Sequence, residues 1–359
     1  MSEQGKKKAV APVLQNMQDY ISNHYMDELL DEVCAGIELG IVENLEIDVG
    51  NGKVVIDRND SKIVRTDLWW KDRTHLLADI RMRTKIGLSQ DSGIPRYYVR
   101  YINFSAEFTL DGGITLHPGI KELSTCCLPE RKFPRLSKYL VPVLSYDEME
   151  IMVLQLLRRY IGEHAAMTYQ ENGATALAEA MGLKIKRVSL YRNHHTSAIL
   201  YFKEGHARVV ASGAIGSAAD DEGFQDMTVP EKTILINENR LYQGDTEREV
   251  YHECGHYEWH SMFFELQELH AADLRLLKYA EADKHSKPAE KDVRWVERQA
   301  SFVGIAAMFP RPVITPLVNK YWAEVANTQV NLGQKISNVI YQIASDKQKS
   351  KALIKTRLM

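Results

Sequence analysis

Two runs between Ala78 and Leu110 place apolar residues at every second position, a period that no helix can satisfy. Ala78, Ile80, Met82 and Ile86 alternate with Asp79, Arg81, Arg83 and Lys85; farther on, Ile102, Phe104, Ala106, Phe108 and Leu110 fall on one side, ahead of Gly112 and Gly113. Successive side chains of a strand point to opposite faces, so each run describes a strand with one apolar and one wet face. Sheets of that kind are usually antiparallel, because parallel ones are covered on both sides. The stretch "LEIDVGNGKVVIDR" predicts a hairpin around Gly50, Asn51 and Gly52. Helical spacing from about Val13 to Gly40 places a helix before it. The first ~125 residues are thus expected to be a helix plus an antiparallel sheet, and no catalytic constellation occurs in them.

The segment "CCLPERKFPRLSKYLVPVLS" carries three prolines and interrupts both periods. It marks a boundary, giving an α+β N-terminal domain over residues 1–140 and a second domain over 141–359. A chain of 359 residues with 45% apolar and 26% charged content can build about two such cores. The second domain opens with a helix over "DEMEIMVLQLLRRYIGEHAA" and a short helix "TALAEAM" stopped by Gly182, followed by strands at "KIKRVSL", "SAILYF", "ARVVAS" and "KTILIN". A net charge of −3 predicts no chain-wide attraction to nucleic acid or anionic lipid, although local patches remain open. No run of roughly 18 apolar residues and no signal-peptide core occurs, so a cytoplasmic protein without membrane contact is expected. Its four cysteines, with Cys126 and Cys127 adjacent, do not suggest a disulfide framework.

The chemistry concentrates in "REVYHECGHYEW", Arg248 to Trp259. Thr246 is a good N-cap, and Glu249 three residues on completes a capping box, so a helix is expected to start here. On that helix His252 and His256 share a face one turn, or ~6 Å, apart, a separation at which two imidazoles converge on one zinc ion. Glu253 is turned roughly 100° from His252 and faces water beside the ion instead of the ion itself. Cys254 points away. H-E-x-x-H arises by chance in roughly a few per cent of chains this rich in histidine, so surface histidines on an amphipathic helix are the competing account. A third ligand decides between them.

Candidates close in sequence fail on geometry. His260 is two turns from His252; position 262, where a further histidine would extend the motif, is Met; Glu265 points to the opposite side; Glu268 and His270 lie farther along the same rod. The next helix, "SKPAEKDVRWVERQASFVGIAAMFP", places Val293, Glu297, Ala300 and Gly304 on one apolar stripe. A carboxylate there is costly unless paired, which an arginine or a metal ion would satisfy. Zinc resolves the buried histidines and the buried glutamate together.

The segments "KTILINENRLYQGDTEREVYHECGH" and "ERQASFVGIAAMFP" resemble the ImmA/IrrE family of metallopeptidases. Glu297, Ala300, Met308 and Pro310 fill that family's frame, with Phe309 inserted before the proline. The resemblance runs from about Tyr146 to Pro312, weakens over "GQKISNVIYQIASDKQKSKALIKTRLM", and does not cover the first ~130 residues. It implies a zincin-like fold, zinc held by His252, His256 and Glu297, and Glu253 as general base. It further implies cleavage of a peptide bond in a protein substrate, often a helix-turn-helix transcriptional repressor. Tyr257, His194 and His195 are candidate oxyanion donors. Two other accounts stand beside it: a non-catalytic regulator or scaffold with a structural zinc site, and a zinc hydrolase acting on a small molecule. The basic "SDKQKSKALIKTR" can touch phosphate, but a solvated helix face explains it more simply, so a nucleic-acid partner is not expected. For the N-terminal domain, recognition or gating of a protein partner is the most economical role.

Overall fold

The computed structural model describes residues 16–40, 53–89, 96–190, 196–210, 224–238, 245–269 and 288–359. The chain is mixed α and β with mainly antiparallel sheets. Its contacts divide it into two units, residues 1–144 with 259–295 and residues 145–258 with 296–359. Among the described residues no single helix is long and apolar enough to cross a membrane.

The first unit begins with α1 (Met17–His24) and α2 (Met26–Glu38). A single helix was expected over this stretch; the chain breaks at Tyr25, whose hydroxyl donates to the carbonyl of Ile114. Strands β1 (Lys53–Ile56), β2 (Lys62–Trp70), β3 (His75–Ser89), β4 (Arg96–Leu110), β5 (Ile114–Leu116), β6 (Lys121–Ser124) and β7 (Arg135–Leu136) follow. They form one antiparallel sheet in the order β5-β4-β3-β2-β7, with β1 also on β3 and β6 on β4. The turn expected around Gly50, Asn51 and Gly52 lies outside the described residues, and β1 pairs with the far end of β3. The two alternating runs are the long central pair β3 and β4, in register from His75 opposite Thr109 to Leu88 opposite Arg96. Their even-numbered face is the core: Ile80, Met82, Phe104, Ala106 and Phe108 are buried, as are Met17, Ile21, Leu29 and Val33 from the helices.

The proline-bearing segment belongs to this sheet. Arg131 donates from Nε and Nη2 to both carboxylate oxygens of Asp79, at 2.9 and 2.6 Å, and from Nη1 to Glu122 at 3.1 Å. Asp79 also accepts from Trp69 and Ser105. An Arg–carboxylate fork of this kind is geometrically specific, and it fixes the segment on what would otherwise be the wet face.

In the second unit, α3 (Tyr146–Ile161) starts with the Ser145–Glu148 capping box. The single helix expected here is broken at Gly162, which has φ 89°, into α3 and α4 (Glu163–Met167). Helix α5 (Gly173–Ala180) ends at Gly182 with φ 74°, the left-handed position its sequence calls for. Strands β8 (Lys184–Val188), β9 (Ala198–Tyr201), β10 (Gly205–Val210), β11 (Phe224–Val229) and β12 (Thr233–Asn237) follow. A three-stranded sheet runs β8-β12-β9, with β8 parallel and β9 antiparallel to β12; β10 and β11 form a separate hairpin. All five residues of the central β12 are buried. After it come α6 (Thr246–Trp259), α7 (Ser261–Glu268, grouped with the first unit), α8 (Pro288–Ala306), α9 (Arg311–Val325), α10 (Leu332–Asp346) and α11 (Lys351–Leu358).

Candidate metal centre

Helix α6 carries both histidines, and its start is set by a residue other than the one expected. Asp245, not Thr246, is the cap: its Oδ1 accepts from the backbone N–H of Glu247 at 3.0 Å and of Arg248 at 3.4 Å, and its carbonyl accepts from Glu249. Glu249 pairs with Arg248 instead of closing a capping box. Lys349 reaches the same end, 2.8 Å from Asp245 and 2.7 Å from Glu247. The sequence gives no signal for that tie, which joins positions about a hundred residues apart in the chain.

The helix ends at Trp259, where His260 leaves helical geometry and starts α7. Met262, Glu265 and Glu268 therefore sit on a separate helix, not on the same rod as the motif. His260 is fully buried, and His270 lies outside the described residues.

Two glycines bring α8 against α6. A Cβ on Gly255 would stand 2.9 Å from the Cβ of Val303, and one on Gly304 would stand 2.9 Å from the carbonyl oxygen of Arg248 and 3.4 Å from the Cβ of His252. Only the absence of both side chains lets the backbones approach this closely. Ala300 and Val303 are fully buried along the contact. The approach places Glu297 over the histidines.

His252 Nε2 and His256 Nε2 lie 3.0 Å apart, His252 Nε2 is 3.5 Å from Glu297 Oε2, and His256 Nε2 is 3.5 Å from Glu297 Oε1. All three donor atoms lie within 4.8 Å of one another, the one such cluster of three or more among the described residues. Ligands bonded at 2.0–2.1 Å around a tetrahedral ion stand ~3.3 Å apart, comparable with the separations found here. Two imidazoles and a carboxylate also form a donor set characteristic of catalytic zinc. The side chain of His256 is 1% exposed, whereas His252 and Glu297 keep 17% and 30%, so the cluster opens to solvent on one side.

The charges within it are strongly coupled. Burial pushes the Glu297 carboxyl up, but the two imidazoles outweigh it and hold the group far below the usual carboxylate range. Burial pushes His256 down. It acts on His252 in the same direction but is overcome there by the hydrogen bond to Glu297 and the neighbouring carboxylates, so His252 holds its proton more tightly than usual. The hydroxyl of Ser301, one turn beyond Glu297, lies 3.5 Å from Nδ1, the nitrogen of His252 that faces away from the cluster.

Glu253 is 3% exposed, and its Oε2 accepts a 2.9 Å hydrogen bond from the backbone N–H of Leu200 in β9. The bond uses an N–H of the sheet's edge strand and fixes the carboxylate's orientation. Cys254 is fully buried, with its thiol pushed up by burial, as befits a packed side chain and not a ligand. Tyr257 is buried with its ring stacked on Phe202, while His194 and His195 lie outside the described residues. Set against known protein families and curated proteins, the chain matches no family model and no curated protein. The resemblance to ImmA/IrrE peptidases accordingly rests on the motifs of α6 and α8.

Proposed function

We propose that the chain is a zinc-dependent endopeptidase whose second unit is a zincin-like catalytic domain acting on a protein substrate. What carries the proposal is the convergence of His252, His256 and Glu297, at 3.0 to 3.5 Å, beside a buried and hydrogen-bonded Glu253. A divalent ion held by these three residues supplies Lewis acidity, which polarises a carbonyl and makes water a better acid. Glu253 takes the proton from the attacking water and delivers it to the departing amine. The hydrogen bond from Leu200 restrains the carboxylate, which lowers the reorganisation needed at each turnover.

The open side of the cluster favours catalysis over a structural site, because structural zinc is usually closed by four protein ligands. Retention of a glutamate that is not needed to hold the ion points the same way. By the motif resemblance, a helix-turn-helix repressor is the first substrate to try.

The test pairs metal analysis with a single substitution. Glu253→Gln is expected to keep stoichiometric zinc and the wild-type fold while peptide-bond cleavage falls by at least ~10²-fold, the usual share of general-base catalysis. Cleavage at the wild-type rate would remove Glu253 from the mechanism, and protein purified without zinc would remove the metal.

A further inference from the structure

The odd-numbered face of the β3–β4 pair should be uniformly polar, and near one end it is not. Tyr97, Val99 and Tyr101 follow one another along that face of β4 and remain 43–44% exposed. Across the ladder they stand opposite Gly87, Lys85 and Arg83. The guanidinium of Arg81 lies over the ring of Tyr101, 4.7 Å from its centroid.

The same face concentrates positive charge in a chain that is slightly acidic as a whole. Lys62 is directly opposite Arg83, and Arg65 is directly opposite Arg81. Like charges facing each other across a ladder destabilise a sheet, so two such pairs side by side need an anion. The protein supplies only part of it. Asp60 pairs with Arg83 and Lys85, and Asp67 with Arg65, leaving Lys62 and Arg81 with no carboxylate among the described residues. Five cations thus face two carboxylates, one of which, Asp67, is also bonded by Arg135.

Exposed aromatic rings interleaved with uncompensated cations on a sheet match one class of ligand. Bases stack on tyrosine rings and on guanidinium planes, while the phosphates between them neutralise lysine and arginine. Tyr97 and Tyr101, four residues apart on an extended strand, stand roughly 13 Å apart, far enough for separate bases. A duplex hides its base faces and would gain only the charge contacts. We propose that this face of the first unit binds single-stranded nucleic acid, DNA or RNA, without reading a defined sequence.

The experiment uses the full-length protein and fluorescence anisotropy with oligothymidylate and oligouridylate of about 20 nucleotides, beside a duplex of equal length. Saturable binding is expected, with a Kd of about 10⁻⁶ to 10⁻⁴ M, weakening as NaCl is raised from about 50 to 200 mM. Tyr101→Ala and Tyr97→Ala should each weaken the single strand by about 5-fold or more, while Tyr101→Phe, which keeps the ring, should bind as wild type. Arg81→Ala should reduce the steepness of the salt dependence by about one phosphate contact. Tyr98, equally exposed but on the opposite face of the strand, gives the control: Tyr98→Ala should bind as wild type. Comparable affinity for duplex and single strand would reduce the face to a charged patch and overturn the proposal. So would binding unaffected by both tyrosine substitutions, or a homodimer in sedimentation that those substitutions dissociate, which would make the face a protein interface.

Discussion

Glu297 is the residue on which the proposed metal centre turns, because α6 alone supplies only two donors. Its carboxylate lies 3.5 Å from each histidine, whereas Glu265 and Glu268 belong to a helix that starts after the break at His260. Glu297→Ala is therefore expected to lower zinc affinity by at least ~10-fold, while Glu265→Ala and Glu268→Ala leave zinc content unchanged; metal analysis after dialysis against a weak chelator separates the three. Acid should strip the site as well. A ligating imidazole must be deprotonated, and Glu297 holds the proton of His252 more tightly than usual, so proton competition begins at a higher pH than for an ordinary histidine. The sign is that zinc affinity falls as pH falls, so the zinc Kd measured by chelator competition should rise between pH 8 and about pH 5. A zinc Kd that does not rise over that range would place the ion on other ligands. The convergence of His252, His256 and Glu297 was legible in the sequence because it follows from helix geometry and from the cost of burying charge. The cap at Asp245 was not, since Thr246 is an equally good capping type and only the backbone decides between neighbours. Nor was the bond from Leu200 to Glu253, which joins a strand and a helix 53 residues apart.

Between α6 and α8 the contact is made by absence. Gly255 and Gly304 leave no room for a Cβ: in one case the obstacle is Val303 and in the other the backbone carbonyl of Arg248, which cannot rotate aside. Gly304→Ala should push the helices apart by a few tenths of an ångström and cost about 1–3 kcal/mol, as overpacked cores do. It should also weaken zinc binding, because the same shift lifts Glu297 off the histidines. Ser301→Ala, on the same helix but without a new contact, should leave the melting temperature within about 1 °C, the range of a neutral substitution. A Gly304→Ala protein with wild-type stability and zinc affinity would mean that the helix contact does not set the ligand geometry. Elements with a strong period were readable in advance. The alternation in β3 and β4 survives because register is fixed wherever one face is buried. Breaks at Tyr25 and Gly162 escaped, since helical spacing continues across both and each break shows only in the backbone, Tyr25 with φ −125° and Gly162 with φ 89°.

Chain order does not coincide with the division into units. Residues 259–295 group with residues 1–144, so the chain crosses the division three times, and a cut at the sequence boundary near residue 140 does not separate one unit from the other. The physical content lies in α7. Met262, Phe263 and Leu266 are each no more than 1% exposed, and α7 packs near β4 of the first unit's sheet. A fragment of residues 145–359 keeps α7 but loses that sheet. Three large apolar side chains returned to water cost about 1.5–3 kcal/mol each, comparable in sum with the whole stability of many domains. The fragment is therefore expected to aggregate on expression, and to remain soluble only if the exposed side chains of α7 are replaced by polar ones. The alternating period reveals the sheet, but nothing in the sequence says that α7, more than a hundred residues later, completes the same unit, because its apolar spacing would suit any neighbouring surface. Light scattering and zinc content of the two fragments decide the matter. A monodisperse, zinc-loaded fragment of unaltered sequence would show that α7 is covered within the second unit, and a polar-substituted fragment that still aggregates would show that the first unit covers more than α7.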